Sequence, residues 1–294
     1  MPPLRDETIR LRDGRRLAYA EWGDAEGAPV LFFHGNPGSR LYCPDEGVTA
    51  SARVRLLTID RPGVGRSDVL PGRTFADWPS DVTEFADALG IKRFGVVGWS
   101  AGGPYAAACA ARIPCRLTGV GIGACRALSQ FNFAENPAAR EDLATDAREL
   151  FELAQEDPDA AARAAAQADK EWVRALWENP AGWFDDAQLP EVDRRYLEDT
   201  ERLRAFLEAM REGVRQGPEA FAWEQIDVFL PWGFRLAEIA IEVHVFHGEQ
   251  DAWVARSHVD FLVATLPKAR LTLWPDAGHG PGRRWGEILQ AVTG

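Results

Sequence analysis

Short apolar runs alternate with helix-like segments along most of the chain, and this alternation constrains the fold more than any other feature. Near-continuous β-branched or aliphatic runs are typical of strands buried on both faces of a parallel sheet. They occupy residues 30–33, 54–59, 94–97, 117–122, 243–246 and 271–274. Helix-like segments lie between them, and two segments around Asp13-Gly14 predict an opening hairpin. The sequence predicts an α/β fold with about eight mostly parallel strands flanked by helices.

The alternation stops at residues 126–235, where no convincing strand occurs and Ala, Glu, Leu and Arg dominate. We interpret this stretch as a helical cap insertion, called the insertion below, in a core made of residues 1–125 and 236–294. It contains 24 acidic and 13 basic residues, so it carries nearly all of the chain's net charge of -12. Solvated helix faces are the simplest explanation of this charge.

The charge and the composition also bear on partners and location. A net charge of -12 is repelled by nucleic acid and by anionic membranes, so neither is expected as a partner. The N-terminus is charged, and no apolar run approaches the roughly 18 residues of a membrane helix, so we expect a cytoplasmic protein. The four cysteines lack C-x-x-C spacing, and no metal site is expected. The sequence gives no indication of oligomeric state.

The segment FGVVGWSAGG, residues 94–103, is an apolar strand followed by G-x-S-x-G and an Ala-rich helix. A bare G-x-S-x-G also fits an ordinary glycine-rich turn, but the flanking strand and helix favour a nucleophile elbow. In such an elbow the serine lies on a sharp turn, flanked by glycines because side chains there would collide with backbone. Ser100 is therefore the candidate nucleophile.

A serine hydroxyl needs a base to remove its proton and a third group to orient that base. His279 is the best candidate base of the five histidines, because it follows the last predicted strand in a loop. Asp251 follows the strand at 243–246 and is the candidate acid, with a helix-capping role as the alternative. Glu249 and Asp276 are competing carboxylates. The order Ser100, Asp251, His279 agrees with the order typical of strand–elbow–helix hydrolases.

The segment HGNPGSR, residues 34–40, follows an apolar strand and supplies a second expected element. A hydrolase must stabilise the negative oxygen of a tetrahedral intermediate with N–H donors. We assign these donors to the backbone N–H groups of Asn36 and Ala101. His34 is expected to support the loop rather than take part in the chemistry.

Five of the eleven tryptophans lie in the insertion, and aromatic side chains over a cleft can line an apolar pocket. Trp183 and Trp223, together with Trp99 beside the nucleophile, are the candidates for a substrate pocket.

The motifs HGNPGS, DRPGVGRSD, GWSAGG, HGEQD and GH together resemble the α/β-hydrolase superfamily, from about Thr8 to the C-terminus except in the insertion. The resemblance implies that residues 60–68 form a structural loop. The HGNP turn also resembles haloalkane dehalogenases, which use an aspartate where Ser100 stands. Proline iminopeptidases share the H-G-x-P-G turn and a helical cap, but GWSAGG replaces their usual G-G-S-W-G elbow.

These features predict a serine hydrolase that cleaves a small, apolar acyl ester, or an amide, through an acyl-Ser100 intermediate. The expected partner is a small-molecule substrate, and no cofactor is expected. Alternatives are hydrolysis of a carbon–carbon bond in a diketone-like metabolite, hydrolysis of a thioester, and cofactor-free perhydrolysis. A non-catalytic ligand-binding receptor of the same fold is the alternative from another class.

Overall fold

The computed structural model describes residues 2–127, 145–186 and 189–294. An eight-stranded sheet with the order β1-β2-β4-β3-β5-β6-β7-β8 forms its centre. The strands are β1 Arg5–Arg10, β2 Arg16–Gly23, β3 Ala28–Phe33, β4 Val54–Ile59, β5 Phe94–Trp99, β6 Leu117–Gly123, β7 Val243–Gly248 and β8 Ala269–Trp274. Strand β2 pairs antiparallel with β1 and β4, and all other neighbours are parallel. The predicted mostly parallel sheet with its opening hairpin is confirmed.

Helices cover both faces of the sheet and also fill the segment between β6 and β7. The described helices are α1 Glu46–Ser51, α2 Trp78–Ala88, α3 Gly103–Arg112, α4 Thr145–Glu156, α5 Pro158–Glu178, α6 Pro180–Asp186, α7 Glu191–Tyr196, α8 Thr200–Gly213, α9 Pro218–Asp227, α10 Arg256–Thr265 and α11 Trp285–Thr293. Helices α2, α3 and α10 contribute to the core on one face, and α11 contributes to the core on the other. Strand β5 lies between these layers and is buried along its whole length.

The sequence of α11 shows how a helix is matched to the sheet. Trp285, Ile288, Leu289 and Val292 recur at spacings of three and four residues, which places them on one helix face. All four side chains are buried in the same core cluster. This face covers the sheet beside β5 and so supports the strand that leads to Ser100.

Helices α4 to α9 form the described part of the insertion, while its residues 128–144 and 187–188 lie outside the described residues. Buried ion pairs join the insertion to loops that follow the core strands. Arg61, after β4, pairs with Glu224 of α9. Arg40, after β3, pairs with Glu212 of α8 at 2.7 Å. None of the described helices is long and apolar enough to cross a membrane.

Candidate active site

The turn between β5 and α3 holds Ser100 in an unusual backbone conformation. Its φ is +54°, in the left-handed region that residues other than glycine seldom adopt. A Cβ on Gly98 would lie 2.2 Å from the carbonyl oxygen of Gly102. A Cβ on Gly102 would lie 2.0 Å from the carbonyl oxygen of Phe33. Only glycine fits at either position, so the G-x-S-x-G spacing is a steric requirement of this turn.

Asp251 and His279 come from turns after neighbouring strands, β7 and β8, and they meet at hydrogen-bond distance. Asp251 Oδ2 lies 2.9 Å from His279 Nδ1. The other carboxylate oxygen, Oδ1, accepts the backbone N–H groups of Trp253 at 2.8 Å and Val254 at 3.0 Å. Burial raises the pKa of Asp251, but the hydrogen bonds and the nearby histidine outweigh burial and bring it below its ordinary value. The carboxylate is therefore ionised at neutral pH.

The two competing carboxylates, Glu249 and Asp276, contact arginines. Asp276 forms an ion pair with Arg284 at 2.8 Å on the surface. Glu249 lies 3.9 Å from Arg256. The structure thus brings Asp251, and neither of these, to His279.

The remaining predicted residues converge on the same place. Ser100, His279 and Asn36 line one cavity together, and a second cavity adds Ala101 to these three. The loop that contains Asn36 approaches Ser100 closely, since a Cβ on Gly35 would lie 3.2 Å from Ser100 Cβ. The structure therefore gathers both predicted N–H donors around Ser100.

Arg61 holds the backbone of the loop that contains His34 and Asn36. Its Nη1 donates a hydrogen bond to the carbonyl of His34 at 2.5 Å. Burial, reinforced by the charge of Arg61, lowers the pKa of His34 to about 3. His34 is therefore neutral at physiological pH, which agrees with a supporting role in the loop.

The first cavity has a volume of about 200 Å³ and is mostly apolar. Two of the candidates for a substrate pocket, Trp99 and Trp183, line this cavity. Trp223 does not line it and instead packs against the cluster formed by α4, α5 and α9. Further side chains that the sequence did not single out also line the cavity, among them Tyr42, Trp172, Tyr196, Leu197, Phe206 and Met210.

Two further residues at the site, Trp253 and Asp193, lie outside the sequence motifs. The ring of Trp253 lies 5.0 Å from the imidazole of His279, centroid to centroid, and Trp253 lines both cavities. The carboxylate of Asp193, in α7, accepts the backbone N–H groups of His279 and Gly280, each at 3.3 Å. Because Asp193 is 86 residues from His279 in sequence, only the folded chain reveals this contact.

The loop of His279 is also held from the core side. Trp99 Nε1 donates a hydrogen bond to the carbonyl oxygen of His279 at 2.7 Å. Trp99, the residue next to Ser100, thus positions the loop of the candidate base. Among the described residues, no cluster of histidine, cysteine or carboxylate side chains could hold a metal ion.

Comparison with known proteins agrees with this geometry. The sequence profile of the family described as alpha/beta hydrolase fold matches residues 28–281. The chain belongs to the alpha/beta hydrolase family. This alpha/beta hydrolase is 28% identical over 298 residues to a proline iminopeptidase of Xylella fastidiosa, across 91% of this chain and 88% of that protein.

Solved structures extend the likeness to the fold of the whole chain. An esterase from Exiguobacterium antarcticum superposes with a TM-score of 0.67 at 16% identity, over 97% of this chain and 98% of that one. A bromoperoxidase from Bacillus anthracis gives the same TM-score at 18% identity, over 97% and 98% of the two chains. The resemblance expected from the motifs is confirmed.

Proposed function

We propose that this alpha/beta hydrolase is a serine hydrolase that cleaves small, apolar acyl esters through an acyl-Ser100 intermediate. The observation that carries the proposal is the 2.9 Å hydrogen bond between Asp251 and His279 beside a serine held on a strained elbow. An ionised carboxylate at Nδ1 keeps the imidazole proton on that nitrogen, so Nε2 is left as a proton acceptor.

The reaction then proceeds in two steps. His279 Nε2 takes the Ser100 proton as Oγ bonds to the carbonyl carbon of the ester, and the carbonyl oxygen becomes negative. The N–H groups of Asn36 and Ala101 stabilise that oxygen. His279 returns the proton to the departing alcohol when the carbon–oxygen bond breaks. A water molecule repeats the sequence on the acyl-Ser100 ester and releases the acid.

The core and the insertion contribute different parts of the site, and this arrangement supports the proposed class of substrate. The core, residues 1–125 and 236–294, supplies Ser100, Asp251 and His279. The insertion, residues 126–235, supplies Trp183 and most of the other apolar side chains of the first cavity. An apolar acyl group buried there is favoured by the hydrophobic effect.

Replacement of the nucleophile tests the proposal. Ser100→Ala should abolish hydrolysis of para-nitrophenyl butanoate and labelling by a fluorophosphonate probe, with the folded state retained. Ser51→Ala, which removes an exposed hydroxyl bonded to the carbonyl of Gly47, is the matched control and should keep both. Retention of most activity by Ser100→Ala would refute the proposal.

Similarity to a proline iminopeptidase over 91% of the chain makes removal of an N-terminal proline the second candidate. Such an enzyme must bind the substrate's amine, and Glu224 is a carboxylate in the second cavity. Glu224 is already ion-paired with both Arg61 and Arg73, which favours the esterase. Comparison of proline para-nitroanilide with para-nitrophenyl butanoate separates the two, since a higher kcat/KM for the anilide would select the peptidase.

A further inference from the structure

The second cavity beside Ser100 differs in character from the apolar one. It has a volume of about 230 Å³ and shares Ser100 and His279 with the first. Besides the residues that it shares with the first cavity, its wall includes three polar or charged side chains, those of Arg126, Glu224 and Gln225. A substrate bound across Ser100 would therefore meet an apolar site on one side and a polar site on the other.

The charge of Glu224 is balanced by partners outside the cavity wall. Its carboxylate is buried and forms ion pairs with Arg61 and Arg73. These pairs outweigh the effect of burial and lower the pKa of Glu224 to about 2. Glu224 is therefore ionised, but its negative charge is compensated by two guanidinium groups and is not left to balance Arg126.

Arg126 differs from Arg61 and Arg73 in what its guanidinium group contacts. It follows β6 at the carboxyl edge of the sheet and is half-buried. Its Nε donates to the carbonyl oxygen of Trp253 at 3.1 Å, and Nη2 donates to the same oxygen. No carboxylate in the described ranges forms an ion pair with Arg126, and Nη1 makes no hydrogen bond there. Burial lowers the pKa of Arg126, and the charge of Asp251 opposes this effect only in part, so the cation loses hydration without an ion pair to any described carboxylate.

We propose that Arg126 binds a carboxylate of the substrate in the second cavity, so that the ester carries an apolar group on one side and an anionic group on the other. The planar guanidinium presents parallel N–H donors that match a carboxylate. This inference rests on the proposed esterase function. The carboxylate belongs to either the acyl or the alcohol part of the ester, and the test has an arm for each.

Two matched pairs of esters provide the test. Para-nitrophenyl hemisuccinate is compared with para-nitrophenyl isocaproate, and para-butanoyloxybenzoate with para-isopropylphenyl butanoate. Within each pair an isopropyl group replaces a carboxylate of similar shape. In at least one pair, Arg126→Met should lower the ratio of kcat/KM for the anionic ester to that for the neutral ester by about 10-fold to 100-fold. Arg126→Lys should restore part of this ratio, because it keeps the charge but not the planar donors.

A control variant and a binding measurement separate the possible failures. Arg174→Met, at an exposed position of α5, should leave both ratios unchanged. Equal losses on both members of each pair in Arg126→Met would overturn the proposal and leave Arg126 as a support for the Trp253 turn. Calorimetry on inactive protein needs no turnover: the Ser100→Ala protein should bind at least one of para-nitrophenyl hemisuccinate and para-butanoyloxybenzoate more tightly than the Ser100→Ala, Arg126→Met protein. Equal affinity would overturn the carboxylate site, whereas loss of the esterase alone would refute only the proposed function.

Discussion

Replacement of Asp251 by asparagine should disable His279 because the structure dictates how the new amide would lie. Asp251 Oδ1 accepts two backbone N–H groups, and Oδ2 faces His279 Nδ1. The amide oxygen must keep the Oδ1 position. The reverse orientation would turn NH₂ against two N–H donors and leave buried groups unsatisfied, at about 1–3 kcal/mol each. The amide NH₂ therefore points at His279.

This orientation reverses the hydrogen bond at the imidazole. His279 Nδ1 would have to accept from the amide, so the ring proton would move to Nε2, where it blocks acceptance of the Ser100 proton. In a serine protease with the same arrangement such a change lowers kcat by about 10⁴-fold, or roughly 5 kcal/mol in barrier height. We expect a loss of about that size in Asp251→Asn.

Steady-state hydrolysis of para-nitrophenyl butanoate and the rate of fluorophosphonate labelling measure this loss, and circular dichroism checks the fold. Both rates should fall together, because both need a deprotonated Ser100. Asp276→Asn is the matched control, since its surface ion pair with Arg284 is remote from His279. A loss of less than about 10-fold in Asp251→Asn, or an equal loss in the control, would refute the reasoning.

Three further predictions concern the pocket, the oxyanion loop and acid stability. Specificity constants should rise about fourfold per acyl methylene, at roughly 0.8 kcal/mol each, until the pocket is full; Trp183→Ala should flatten this profile, while Trp223→Ala should not, and identical profiles would place specificity elsewhere. Asn36→Gly should cost less than about tenfold in kcat, because the backbone N–H remains; a loss equal to that of Ser100→Ala would assign the role to the side chain. The pKa of Glu224 is about 2 in the folded chain and 4.5 ordinarily, so its ionised carboxylate stabilises the folded state above pH 4.5. This stabilisation is lost as the pH falls towards 2. In urea, the free energy of unfolding should fall by roughly 3 kcal/mol from this effect in the wild type and not in Glu224→Gln. Equal pH dependence of the two proteins would contradict this prediction.

The sequence predicted most of the sheet because its strands are buried on both faces and read as continuous apolar runs. The run at 54–59, for example, has the same bounds as β4. Ser100, Asp251 and His279 could be singled out as candidates because each lies next to a recognisable strand end. Trp223 was misplaced among the pocket candidates because composition identifies an aromatic residue without telling which way its helix faces. Asp193 and Arg126 were missed because their contacts, to His279 and Trp253, join distant parts of the chain.

The buried ion pairs between core and insertion determine which parts of this protein can be exchanged with a relative. Arg40, Arg61 and Arg73 belong to the core, yet their carboxylate partners include Glu212, Glu224 and Asp227 of the insertion. A chimaera that received only a foreign segment 126–235 would bury arginines without those partners, and breaking a buried pair costs about 3–5 kcal/mol. The set of residues that must be exchanged together is therefore discontinuous in the sequence. It consists of the insertion together with the three core arginines that pair with its buried carboxylates, and a new specificity introduced with a foreign insertion requires those positions to change as well.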